Sequence, residues 1–117
     1  MISTIGNCHN GIELTVAGSN SQAERQGVYL FNGTDTETGL PTFYQNGGKS
    51  AMWFHSGRWR IGYGNSNLGT EGAGIRSTKA EPCPELIGTD WQYFINNEGD
   101  GKWRDSENEI SIAPHSG

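Results

Sequence analysis

Aliphatic residues are scarce in this chain. Leu, Ile, Val and Phe together make up 20 of 117 residues, and only two of those are Val. So low a supply signals disorder when net charge is high, but the formal net charge here is only −5. Four Trp, four Tyr and four Phe add bulk, and each aromatic buries roughly 150–250 Å². The expectation is a folded domain with a small, aromatic-rich core. No run approaches the roughly 20 apolar residues of a membrane span, and no polybasic stretch marks a membrane surface or nucleic acid. The opening Met1–Ile5 lacks the charged and apolar regions of a signal peptide.

Catalytic signatures are missing too. There is no Gly-x-Ser-x-Gly elbow and no His-Glu-x-x-His. The three histidines, His9, His55 and His115, have no sequence partner that singles out a triad. No pair among the thirteen acids is singled out by an apolar setting that would raise a pKa, as glycoside chemistry requires of one carboxyl. No Gly cluster leads into a helix that would cradle phosphate. The expectation is a non-enzymatic protein with no cofactor.

Helix signals are nearly absent, because Gly interrupts almost every window long enough for three turns. Strand signals recur instead. Ile12–Val16 alternates apolar and polar residues, and further strands are predicted at 28–31, 42–45, 51–55, 58–62, 73–77, 91–95, 102–104 and 109–112. The reading is all-β: one compact sandwich or barrel-like meander of about eight short antiparallel strands. The domain spans 1–117, with a core over about 8–112 and residues 113–117 as a tail or linker.

Ala51–His55 and Arg58–Gly62 flank Ser56-Gly57, which predicts a hairpin with a two-residue loop. His55 then faces Arg58, Phe54 faces Trp59, Trp53 faces Arg60, and Met52 faces Ile61. Strand alternation puts Met52, Phe54, Trp59 and Ile61 on a core face. It puts Trp53, His55, Arg58 and Arg60 on an outer face. A planar aromatic among nitrogen-bearing side chains suits an acidic or neutral glycan, or an acidic protein segment. These four residues are the predicted ligand-binding set, with the 32–39 and 64–72 loops next in line.

Cys8 and Cys83 are either two thiols or one bridge; the expectation is the bridge, which would close a loop of about 75 residues. With no CxxC, Cys8-His9 and Cys83 make a poor zinc site. Asn96, Glu98, Asp100 and Glu107 fit calcium-loop spacing loosely, but their flanks read as strands, so no metal is expected. Asn32-Gly33-Thr34 is a single glycosylation acceptor.

As an ordered set, several motifs resemble a small module repeated in large multidomain proteins of marine invertebrates and unicellular eukaryotes. They are Leu14-Thr-Val-Ala-Gly18, Gly27-Val-Tyr29, Gly39-Leu-Pro41 with Tyr44, Met52-Trp-Phe54, Gly57-Arg-Trp59, Ile61-Gly62, Cys83-Pro84 and Trp91. The resemblance covers most of the chain and implies a display module without catalysis; it supplies no binding residues. Members of that group often carry a further Cys after the last strand. This chain has Ala113-Pro-His115 there, which leaves the pairing of its two cysteines open at this point. The functional expectation is an extracellular or secreted binding module, lectin-like toward a glycan or engaged with a protein partner, with no nucleic acid and no membrane insertion. The alternative is a structural spacer in a multidomain adhesive or matrix protein.

Overall fold

The computed structural model describes residues 4–5, 8–17, 22–64, 68–69, 72–95 and 102–115. A two-stranded pair joins β1 (Thr4–Ile5) to β2 (Cys8–His9). Among the described residues the main sheet has nine strands: β3 (Gly11–Val16), β4 (Gly27–Thr34), β5 (Pro41–Gln45), β6 (Ser50–His55), β7 (Arg58–Tyr63), β8 (Ile75–Ser77), β9 (Trp91–Ile95), β10 (Lys102–Asp105) and β11 (Ile110–Pro114). Their order is β10-β9-β8-β7-β6-β5-β4-β3-β11, every pairing is antiparallel, and the sheet curls into a half-barrel. The meander is therefore found, and the sandwich is not.

The two edges of this sheet are consecutive in the chain. Eight antiparallel steps leave β10 and β11 running in the same direction, and only residues 106–109 separate them. The chain thus crosses from one edge to the other without reversing. The Ser106 N–H donates to Trp91 O at 2.9 Å, extending the β10 ladder. Ala17 N–H donates to Glu109 O at 2.8 Å, extending the β11 ladder. Glu107 and Asn108 take left-handed φ of 50° and 72° in this crossing.

The predicted strand at 109–112 runs on. Ala113 pairs with Glu13 and Pro114 with Ile12, and His115 N–H reaches Gly11 O at 2.9 Å. Residues 113–115 belong to the sheet edge, not to a tail. Pro suits an edge because no inner strand needs its missing N–H. At the other end of the core, β2 places Cys8 in the interior.

The concave face holds the core. One row runs side by side across six strands as Phe31, Phe43, Met52, Ile61, Ile75 and Tyr93. Ile12, Leu14 and Val16 supply its β3 end, with Ile110 and Ile112 beside them. Trp59 is fully buried, edge-on to Phe54 at 5.5 Å between ring centroids. The 79–90 connection closes one opening. Its Ile87 enters the core, its Glu81 carbonyl accepts from the Trp59 indole N–H at 2.8 Å, and its Gly88 carbonyl accepts from that of Trp91 at 3.1 Å. The Trp59 and Trp91 indoles thereby each have the partner a buried indole needs. Cys83, in the same connection, is bonded to Cys8, so the expected bridge is present and buried.

The hairpin register is the one the sequence predicts: His55 opposite Arg58, Phe54 opposite Trp59, Trp53 opposite Arg60, Met52 opposite Ile61. Ser56 and Gly57, at φ 50° and 80°, supply the two positive-φ positions of a type I′ turn.

Tyr29 sits buried near the β3–β4 end of the core, and its hydroxyl donates to Arg25 O at 2.7 Å. Burial pushes its pKa well above the ordinary tyrosine range, against a smaller lowering by Ser50 and the Arg25 charge. The folded chain therefore holds this proton more tightly than the unfolded chain does. The resulting stability is complete below the unfolded pKa of about 10 and is lost as pH rises above it, by at most about 1.4 kcal/mol per pH unit. Denaturant titrations between neutral and strongly alkaline pH should show this decline. In Tyr29→Phe it should be shallower, at a cost of about 1 kcal/mol at neutral pH for the lost hydrogen bond.

Candidate functional site

The convex face carries the predicted ligand-binding set, and the structure rearranges it. Trp53 lies opposite the core face, as parity requires, but it is 0% exposed. The expectation of an open Trp53 is corrected. The segment 72–73 runs over this part of the sheet. A Cβ built on Gly62 would lie 2.8 Å from Gly72 O, 3.0 Å from Ala73 Cα and 3.1 Å from the Trp53 ring. Strand, strap and indole meet where only Gly fits. Gly62→Ala should cost about 1–3 kcal/mol by overpacking, read as a lower melting temperature.

Arg60 is also buried, at 6% exposure, and its Nε donates to His55 O at 2.9 Å. His55 and Arg58 are half-buried. The four predicted residues therefore share a face and a register, but they do not form an open surface by themselves.

The strand order extends the row. Trp53 pairs with Arg60, Arg60 with Arg76, Arg76 with Gln92, and Gln92 with Asp105. Gln92 is the focal point. Its carboxamide oxygen accepts from Arg76 Nε at 2.9 Å and, at 3.4 Å, from Arg58 Nη1, which also donates to Ser77 O at 3.2 Å. Two cations converge on one neutral oxygen. Among the described residues neither Arg58 nor Arg76 has a carboxylate within ion-pair distance. Asp105 ends the row with its Oδ1 accepting the Glu107 N–H at 3.0 Å. Burial first, then the Arg58 and Arg60 guanidinia, hold Arg76 below the ordinary arginine range; an arginine so shifted is still charged at neutral pH.

Aromatic rings border this cluster. The Arg76 guanidinium stands 4.0 Å from the Trp103 ring centroid, and Phe94 meets Trp103 edge-on at 5.4 Å. Arg76, Gln92, Phe94 and Trp103 are all half-buried, so the cluster is open to solvent on one side. None of them was singled out in the sequence. Alternation within Trp91–Ile95 puts Gln92 and Phe94 on one face, but only the β7-β8-β9-β10 order brings that face beside Arg58 and Arg60.

The remaining candidates fall elsewhere. Asn96, Glu98 and Asp100 of the calcium reading lie outside the described residues; Glu107 is exposed in the 106–109 crossing. Asn32 is exposed on β4, beside a bulge between Phe31 and Gly33, so β4 runs into the predicted 32–39 loop. The two loops ranked next do meet: Asn32, Asp35, Thr36, Leu68 and Gly69 border a cavity of about 380 Å³. At the disulfide, the Glu85 side chain is 6% exposed. Its Oε2 accepts from the His9 backbone N–H at 3.0 Å and lies 2.8 Å from His9 Nδ1. Cys8, Cys83 and Glu85 bring their ligand atoms within 4.8 Å of one another, but the bridge uses both sulfurs and leaves no thiolate for a metal.

No family model, curated protein or solved structure matches the chain. Among the described residues no helix is long and apolar enough to cross a membrane. A buried disulfide is compatible with an extracellular protein.

Proposed function

We propose that the protein is a non-enzymatic extracellular binding module that takes an acidic glycan on its convex face. Arg58 and Arg76 hold the acid group and Trp103 flanks the sugar. The observation that supports this is the shared Gln92 oxygen: two guanidinia meet on a neutral acceptor where a carboxylate or sulfate oxygen would be the stronger partner. Like charges crowded on a protein of net charge −5 favour a local anion over a wholly solvated face. Arginine's planar fork suits a carboxylate or sulfate, and the neighbouring ring distinguishes a saccharide from a free ion.

Gln92→Glu tests the reading because it installs a carboxylate at the shared acceptor. The fold should gain up to about 1 kcal/mol from the new pair. Affinity for a sulfated or uronate-bearing oligosaccharide should fall more than about tenfold, since a hydrogen bond to a charged group contributes about 1.5–3 kcal/mol. Calorimetry on both proteins at two salt concentrations reads this directly. Binding should weaken with salt in the wild type, and undiminished binding by the variant would reject the site.

A further inference from the structure

A second concavity, formed by the β5–β6 turn and the end of β7, encloses about 530 Å³ between Glu24, Lys49, Ser50 and Tyr63.

Tyr63 pairs with Ser50 across β6 and β7, and alternation gives it the same face as Trp59 and Ile61. It nevertheless stands 39% exposed, at the mouth of the core face. The ring is pinned. The Arg25 guanidinium lies 4.7 Å from its centroid, and its hydroxyl donates to Glu24 Oε1 at 3.0 Å. Arg25 is buried and fixed in turn, donating from Nε to Gln22 Oε1 at 2.7 Å and from Nη1 to Ser50 Oγ at 3.0 Å. The wall beside it is equally fixed: Gln45 Nε2 donates to the carbonyls of Glu24 and Gln26, and its Oε1 accepts the Ser50 N–H.

We infer that this cavity is a saccharide subsite for a neutral pyranose, separate from the arginine face and independent of that reading. A held aromatic plate costs little ordering on binding and suits the C–H face of a sugar ring. Glu24 and Lys49 stand exposed at the rim, one an acceptor of hydroxyl protons and the other a donor to hydroxyl oxygens. Their charges offset each other, so the rim favours a polyhydroxylated neutral ligand over an ion. The volume falls within the range of small-molecule sites.

The test is an NMR titration of the intact protein with the methyl glycosides of glucose, mannose and galactose, and with glucuronate. At least one methyl glycoside should give saturable shifts at Tyr63, Lys49 and Ser50 that added salt leaves unchanged. Tyr63→Ala should weaken that binding about tenfold, Glu24→Gln should weaken it less, and Arg76→Ala should leave it intact. A failure of the arginine reading would leave these results untouched. Three results would each overturn the inference: no saturable shift with any methyl glycoside, saturation by glucuronate alone, or equal binding by a folded Tyr63→Ala.

Discussion

Trp59→Ala is expected to destabilise the domain by about 3–5 kcal/mol, the cost of truncating a buried aromatic. Its ring contacts both Phe54 and Phe43, at centroid distances of 5.5 and 6.4 Å, and its indole N–H secures the 79–90 connection through Glu81 O. Domains of this size are stable by only about 5–15 kcal/mol, and the aliphatic supply is thin, so this single change takes a large share. Trp53→Ala should cost a comparable amount, because that ring is as fully buried on the opposite face. Urea unfolding followed by circular dichroism checks both. A mild Trp53→Ala would mean that the 72–73 strap does not seal the Trp53 ring.

Removing the disulfide should be nearly as severe. Cys8 and Cys83 are 75 residues apart, and closing a loop of that length stabilises by about 4.5 kcal/mol in the chain-entropy model. The bridge also fastens β2 to the connection that closes the barrel opening, beside the His9–Glu85 contact. Cys8→Ser with Cys83→Ser should lower the melting temperature markedly, and the reduced wild-type protein should behave alike. Free-thiol titration of the denatured, unreduced chain should find none. Two reactive thiols per chain would contradict the bridge.

The hairpin was legible because a two-residue turn fixes register and alternation then assigns each face. The strands were legible from the same alternation. Their order was not, since β11 leaves the meander to join β3, and no local pattern records that pairing. The exposure of Trp53 was misread for a related reason: Gly72 and Ala73, which cover it, carry no hydrophobic signal. Pro114 read as a linker because proline disrupts inner strands, while the edge of this sheet accepts it. Arg58 and Arg60 were found by parity, but Arg76, Gln92 and Trp103 needed the sheet to bring three further strands alongside.

The most direct test of the convex-face account is a glycan array probed with the wild-type protein and with Arg58→Ala and Arg76→Ala. The account predicts sulfated or uronate-bearing glycans as the wild-type hits, lost in both variants while the melting temperature is kept. An array without acidic hits, alongside capture of an acidic protein segment, would contradict the glycan assignment. Acidic hits that survive both substitutions would contradict the site.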